Sequence, residues 1–423
     1  MKQLKAILIG AGLRGGQTYS RYALLHPNEM KVVAVAEPDE TRRRNFAQQH
    51  NIASDMCFTD WKEILERGIE ADFAMVCTQD RMHYEPVVLA LQKGYNVLCE
   101  KPMSPNKNEI IQMGNMAEKY GRQLVICHVL RYSPFFTKLK ELIDRKAVGD
   151  LVAIQHIESV GYWHQAHSFV RGNWRNSDET SPMILQKCCH DMDIMLWLTG
   201  SSCKEIQSFG SLHLFKEEMA PKGAPDYCMD GCIHRDNCPF YAPRFYLENP
   251  VGGFNGLGRA VCEEPGSDKM IEALRKGPYG RCVYHCDNNV VDHQTVNILF
   301  ENGVTASFAM CAFTNACERI INVMGTKGQI KGNMEEGALE LYDFASGTKE
   351  RIVLNTSSGG HSGSDMSMMK SVVELFASDG EGKARTAAKM SVESHLMALA
   401  AEESRINDTI ISMSEYARDT ANE

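Results

Sequence analysis

The chain has 423 residues, 43% of them hydrophobic and 23% charged, with a formal net charge of −9. That length exceeds what one core usually organises, so two domains, or one with a large insertion, are expected. The acidic balance argues against a nucleic-acid partner. No apolar run reaches membrane-spanning length and no leader pattern precedes the first strand, so a cytoplasmic protein is expected.

The first element in chain order is a buried strand over residues 4–9, ending in Gly10-Ala11-Gly12-Leu13-Arg14-Gly15-Gly16. This is a G-x-G-x-x-G spacing between a strand and a helix, as a dinucleotide-binding βαβ unit needs. Gly10 allows the tight turn, Gly12 lets the backbone approach a pyrophosphate, and Gly15 permits close helix–strand packing. N–H groups of the next helical turn, from Leu13 and Arg14 onward, then point at the anion. A second strand over 31–36 ends at Glu37, a carboxylate placed to accept from an adenosine ribose and to repel a 2′-phosphate. This favours NAD over NADP, although Arg42, Arg43 and Arg44 could reach a phosphate instead.

Further strands are predicted over 71–78, 96–100 and 123–128, with helices over 85–93 and 105–120 between them. Alternating strands and helices imply a doubly wound parallel sheet with ligands at the strand C-termini. After about residue 135 the pattern changes. A helix over 135–145 is followed by strands over 151–159 and near 206–215, 292–300, 303–312 and 319–324, which suggests an α+β domain on a largely antiparallel sheet. A helix over 391–407 closes the chain. The expected division is residues 1–130 for the nucleotide and 131–423 for substrate binding and oligomerisation, with a Cys-rich insertion at about 216–290.

Of the 15 cysteines, Cys77, Cys99 and Cys127 fall at strand ends and read as core; Cys188 and Cys189 read as helix packing. Cys228-x3-Cys232-x5-Cys238, with His234 between, brings soft ligands into one loop, and Cys282-x3-Cys286 follows. A structural zinc on Cys228, Cys232 and Cys238 is one reading. Free thiols in a small satellite core, or a redox pair, are the others.

Glu100-Lys101-Pro102 at a strand end, Thr78-Gln79-Asp80 with His83, His190-Asp191-Met192-Asp193 before Trp197-Leu198-Thr199-Gly200, and Gly325-Thr326-Lys327-Gly328-Gln329-Ile330 together resemble the Gfo/Idh/MocA oxidoreductases. The resemblance runs from Gly10 to the last helix. It implies a Rossmann domain plus an open-faced α/β sheet domain, forming homodimers or homotetramers. It places Lys101 between nicotinamide and substrate, where an ammonium stabilises a developing alkoxide. Glu100 is implied to orient Lys101 or a ribose, with Thr78, Gln79 and His83 as cofactor contacts. His190 matches the proton acceptor, a role that suits histidine. That family usually has Asp four residues earlier; here Gln186 stands there, and Lys187, on the same helical face as His190, is expected to take over part of the role.

Asp191, Arg131, Tyr132, Trp163, His167, Arg171 and Trp174 are candidate substrate contacts, because aromatic faces stack on sugar rings and guanidinium forks bind hydroxyls or carboxylates. Interdomain packing is the alternative for each. The resulting expectation is an NAD(H)-dependent oxidoreductase acting on a secondary alcohol of a sugar, inositol or polyol. Two alternatives stay open: a glycosidase that oxidises its substrate transiently with no net redox, and a non-catalytic NAD-binding regulator.

Overall fold

The computed structural model describes residues 2–262, 266–354, 363–378 and 385–418. Six parallel strands, β1 (Leu4–Ile9), β2 (Met30–Ala36), β3 (Cys57–Phe58), β4 (Phe73–Val76), β5 (Asn96–Cys99) and β6 (Leu124–Ile126), form one sheet. Their order, β3-β2-β1-β4-β5-β6, is that of dinucleotide-binding sheets. Both faces are covered, so these strands are almost wholly apolar: every residue of β4 is buried. The expected strand over 71–78 is shorter than its apolar run, which frees Cys77 and Thr78 for the sheet's C-terminal edge.

The covering helices begin and end at ordinary signals. Asn106 caps Lys107–Tyr120 by accepting from the Asn108 and Glu109 amides, and Gly121 ends it at φ 59°. Ser133 caps Pro134–Asp144, which has proline in its first turn. The helix Cys189–Thr199, which carries His190, stops at Gly200 with φ 61°.

Nine strands make the second sheet: β7 (Leu151–Ser159), β8 (Cys203–Ser211), β9 (His293–Phe300), β10 (Thr305–Cys311), β11 (Glu318–Gly325), β12 (Gly328–Asn333), β13 (Ala338–Asp343), β14 (Lys349–Val353) and β15 (Ile411–Ser412). They run in the order β14-β13-β12-β11-β7-β10-β9-β8-β15. Among these pairings only β7 with β10 is parallel. Burial alternates along β7 and β11, so one face of the sheet packs on the core.

Two elements depart from the sequence reading. The insertion at 216–290 contains the helix Ser267–Lys276, whose Met270 and Leu274 are buried with Cys228, Ala242 and Tyr246 in a small satellite core. The helix Ser364–Ala377, not anticipated from the sequence, buries Met368, Met369, Val372, Val373 and Phe376 in one cluster with Leu4, Ala6, Leu8 and Phe73. The last part of the chain thus returns to the nucleotide-binding sheet, so a single boundary at residue 130 does not separate the two cores. The helix expected to close the chain, Ala388–Asn407, begins three residues before the predicted one and packs on β8 and on Lys107–Tyr120, and β15 and a short helix, Met413–Tyr416, follow it. Among the described residues, no helix is long and apolar enough to cross a membrane.

Candidate active site

The glycine turn after β1 has the geometry its spacing requires. Gly10 sits at φ +90°, and a Cβ there would stand 2.6 Å from the Cys77 carbonyl oxygen. A Cβ on Gly15 would meet the Gly10 oxygen at 2.3 Å, so close packing demands glycine at both positions. A Cβ on Gly12 would meet nothing within 4 Å. Open space over Gly12 beside a bare backbone fits a pyrophosphate. The segment that follows is a π-helical turn, Leu13–Tyr19, before a short α-helix, Arg21–Leu25.

Glu37 is buried at the end of β2, where its carboxylate accepts from the Ala11 amide at 2.8 Å and the Asp39 amide at 3.0 Å. It therefore braces the glycine turn and keeps lone pairs for a further donor. Arg43 Nη1 donates to the Glu37 carbonyl at 2.5 Å.

Glu100, Lys101 and Pro102 leave β5 at the same edge, with a cis Lys101–Pro102 bond. Glu100 is buried and fully engaged: it accepts from Arg14 Nε at 2.8 Å, Tyr19 Oη at 2.6 Å and the Lys101 amide at 2.7 Å. Burial pushes the Glu100 carboxyl up, but Arg14 and Lys101 pull it down by more, so it stays below the usual range and ionised. Arg14 also pairs with Asp365 at 2.6 Å, tying the returning helix to the glycine turn. Lys101 Nζ donates across to the Gln186 carbonyl at 2.8 Å, so the ammonium points away from its own sheet.

Facing this edge is a cleft of about 390 Å³, lined by Gly12, Leu13, Arg14, Thr78, Gln79, Lys101, Trp174, Lys187, His190 and Arg319, among others. Grooves of about 460 and 560 Å³ lie on the second sheet, but neither is lined by Lys101, Lys187 or His190. The far wall is a polar construction. The Gln186 side-chain nitrogen donates to Asp80 Oδ2 at 2.5 Å and Ser181 Oγ at 3.2 Å, while its oxygen accepts from Trp174 Nε1 at 2.8 Å. Gln186 is thus a brace that fixes the Trp174 ring.

Lys187 pairs with Glu158 on β7 at 2.9 Å. Burial pushes its ammonium toward neutrality, Glu158 pulls harder the other way, and its pKa ends above the ordinary lysine value. Arg319 on β11 bridges Glu158 at 3.0 Å and Asp191 at 2.9 Å, and Asp191 also meets His156 Nε2 at 2.8 Å. His190 lines the cleft edge-on to the buried His128, with ring centroids 5.6 Å apart. Burial drives His164, another lining residue, well below the ordinary histidine value, so it is neutral.

Several sequence candidates lie elsewhere. Arg131 is fully buried in an ion pair with Asp193 at 2.6 Å, and Tyr132 is buried with its hydroxyl 3.2 Å from Thr386. Both face inward because the chain after β6 turns into the interdomain core. Asp191 is wholly buried and orients Arg319, so it does not face the cleft. His83 is 1% exposed; its nitrogens face the Pro102 and Thr78 carbonyls at 2.7 and 3.1 Å, so it clasps two cleft loops from behind.

His167 bonds the Tyr246 hydroxyl at 2.7 Å and Arg171 donates to the Arg281 and Phe240 carbonyls at 2.7 Å, which makes both fasteners of the insertion. Trp163 stacks between His164 and Phe245 outside the cleft lining. The expected zinc site is also corrected. Among the described residues no three His, Cys, Asp or Glu side chains are placed to hold a metal ion, and all fifteen cysteines are free thiols. Cys228 instead lies 3.7 Å from the Arg171 guanidinium, a neighbour that would repel a dication.

Residues missed by the sequence reading, Arg319 and its partner Glu158, carried a faint signal. Each is a charged residue on the inward-facing phase of an alternating strand.

Residues 4–128 match the family described as "Oxidoreductase family, NAD-binding Rossmann fold", and residues 140–387 match "Oxidoreductase family, C-terminal alpha/beta domain". Trans-1,2-dihydrobenzene-1,2-diol dehydrogenase of Mus musculus is 32% identical over 167 residues, 38% of this chain and 49% of that protein. Inositol 2-dehydrogenase 4 of Saccharopolyspora erythraea is 27% identical over 233 residues, 53% of this chain and 62% of that protein. The chain thus spans less than two thirds of either relative. Levoglucosan dehydrogenase, solved with NADH and levoglucosan, shares the fold at a TM-score of 0.70 and 15% identity, covering 97% of this chain and 99% of that one. With both family domains matched in order, and the glycine turn and Lys101 meeting at one cleft, the chain belongs to the Gfo/Idh/MocA family of NAD-binding oxidoreductases.

Proposed function

We propose that the protein is an NAD(H)-dependent dehydrogenase acting on a secondary alcohol of a sugar, inositol or related polyol. The observation that supports this reading is the convergence of Lys101, Lys187 and His190 on the cleft that opens beside Gly12. Gly10, Gly12, Leu13, Arg14, Gly15, Glu37, Thr78 and Gln79 would hold the dinucleotide, with Glu37 favouring NAD over NADP. The nicotinamide ring supplies the redox chemistry, accepting or returning a hydride.

The chain's own residues manage the proton and the charge. Lys101, steered across the cleft by the Gln186 carbonyl, stabilises negative charge on the reacting oxygen. His190 takes the hydroxyl proton and returns it in the reverse direction. Lys187 remains a cation beside Glu158, so it binds substrate and is not the base. The names of the inositol and levoglucosan dehydrogenases support a polyhydroxylated ring as substrate. Exposed Ile157 and Ile320, paired on the open face of the second sheet, support a homodimer or homotetramer, which size-exclusion chromatography with light scattering would test.

The functional test is nicotinamide absorbance with purified protein, NAD or NADP, and a panel of free sugars, inositols and aryl glycosides. NADH growth with a free polyol is expected. Aglycone release without NADH growth would replace this reading with the glycosidase, and cofactor binding without any turnover would replace it with a regulator.

A further inference from the structure

We propose that the substrate carries a carboxylate, and that Lys187 and Arg319 together bind it; this rests on the dehydrogenase reading and narrows its substrate class to sugar acids. The corner is set by strand register, because Arg319 on β11 stands directly opposite Glu158 on β7. Lys187 reaches the same carboxylate from the segment before His190. The order of charges is what matters. Glu158 and Asp191 side chains are 1% and 0% exposed, whereas Lys187 and Arg319 keep 18% and 10% and line the cleft. Seen from the cleft, the corner presents cations, with their counter-charges buried behind.

Hydrogen-bond capacity points the same way. An ammonium has three donors, and Glu158 takes one from Lys187. Arg319 donates to Asp191 through Nε and Nη2 and stands in ion-pair contact with Glu158, which leaves Nη1 without a protein acceptor among the described residues. Acceptors on the neighbouring segments are already engaged: Asp80 by Ser181 and Gln186, the Gln186 side-chain oxygen by Trp174, and Glu100 by Arg14, Tyr19 and the Lys101 amide. A neutral hydroxyl at this corner would meet cationic donors first, because Glu158 Oε2, the carboxylate oxygen here that makes no hydrogen bond, is wholly buried behind them. A carboxylate only accepts. Its bonds to cations are among the stronger ones, and the buried counter-ions already hold both cations in place. A phosphate ester offers the same acceptor chemistry, so the test must separate it.

The test is calorimetric titration of the NAD-loaded protein at fixed ionic strength with sodium gluconate, sodium glucuronate, glucose 6-phosphate, glucose and myo-inositol. NADH absorbance is followed on the same samples. The expected result is that a carboxylated sugar binds roughly 10- to 100-fold tighter than its neutral counterpart. Lys187→Gln should lose most of that preference and Lys187→Arg should keep it. If Lys187→Gln does not fold, the wild-type protein still decides: added salt should weaken the acid and spare the neutral sugar. Equal or better binding of neutral polyols, preference for the phosphate alone, or no preference for any carboxylated sugar would overturn the inference. NADH growth with neutral polyols and no acid preference would overturn it while leaving the dehydrogenase reading intact. Acid-selective binding without NADH growth on any substrate would keep the anion site and remove the dehydrogenase.

Discussion

The two walls of the cleft are built in opposite ways. The nucleotide wall comes from strand ends of one parallel sheet: residues 10–15 after β1, Thr78 and Gln79 after β4, and Glu100 and Lys101 after β5. Its requirements are local, namely a positive φ at Gly10 and no side chain at Gly15. The opposite wall takes Lys187 from a turn, His190 from a helix and Arg319 from β11, and both of its cations are paired with Glu158 or Asp191 behind them. A local wall declares itself as a motif, whereas a wall assembled from distant segments is held by buried charge pairs and leaves little trace in spacing.

The largest expected effect lies where the walls meet. Lys101→Ala should lower kcat by about 10²–10⁴-fold and leave NAD affinity within a few-fold, read by NADH formation and by titration. Retained turnover would move the chemistry entirely to the wall opposite the nucleotide. Next is Arg131→Met, which strands Asp193 as a buried charge and should cost about 3–5 kcal/mol in denaturant unfolding, with KM unchanged. A raised KM with stability intact would return Arg131 to that wall.

Glu37→Ala removes the acceptor for the Ala11 amide and should weaken NAD relative to NADP by about 1.5–3 kcal/mol; an unchanged preference would point to the arginines after it. Gly10→Ala forces a Cβ onto the Cys77 carbonyl at positive φ and should cost more than about 1 kcal/mol while lowering NAD affinity. Thermal unfolding at matched pH would check it, and no change would mean the turn is softer than its contacts imply.

The smallest effect is on pH. Burial pushes His167 down to about 4 and His395 to about 3, so both are neutral in the folded protein at pH 7. In the unfolded chain they take protons near pH 6.5, so the unfolded state binds more protons below that value. Their contribution to stability is complete above about pH 6.5 and is lost as pH falls through it toward 4 and 3. A melting temperature that stays flat over this window would exclude it.

Chain order, apolar runs and glycine spacing were enough to anticipate β1, β2, β4, β5 and β6 with the glycine turn, because each is specified within a dozen residues. The second sheet was legible in part. The strands β13 and β14 and the helix Ser364–Ala377 were not anticipated, since their burial depends on partners far along the chain. Candidate residues divided along the same line. Lys101, Lys187, His190 and Trp174 line the cleft, while Arg131, Tyr132, His167 and Arg171 are equally polar or aromatic and are spent on packing. Nothing in residue type separates the two sets; only which way each backbone segment faces does.

What the sequence determined by itself is therefore the family, the sheet that holds the nucleotide and the lysine at its edge, all consequences of short-range backbone geometry. Tertiary structure alone decided that Glu158 lies opposite Arg319, that Asp191 backs the pair, and that among the described residues the insertion's thiols are not grouped so as to hold a metal ion. The reason is physical: a charge can be buried only where a distant partner meets it, and that meeting is set by strand register and helix packing.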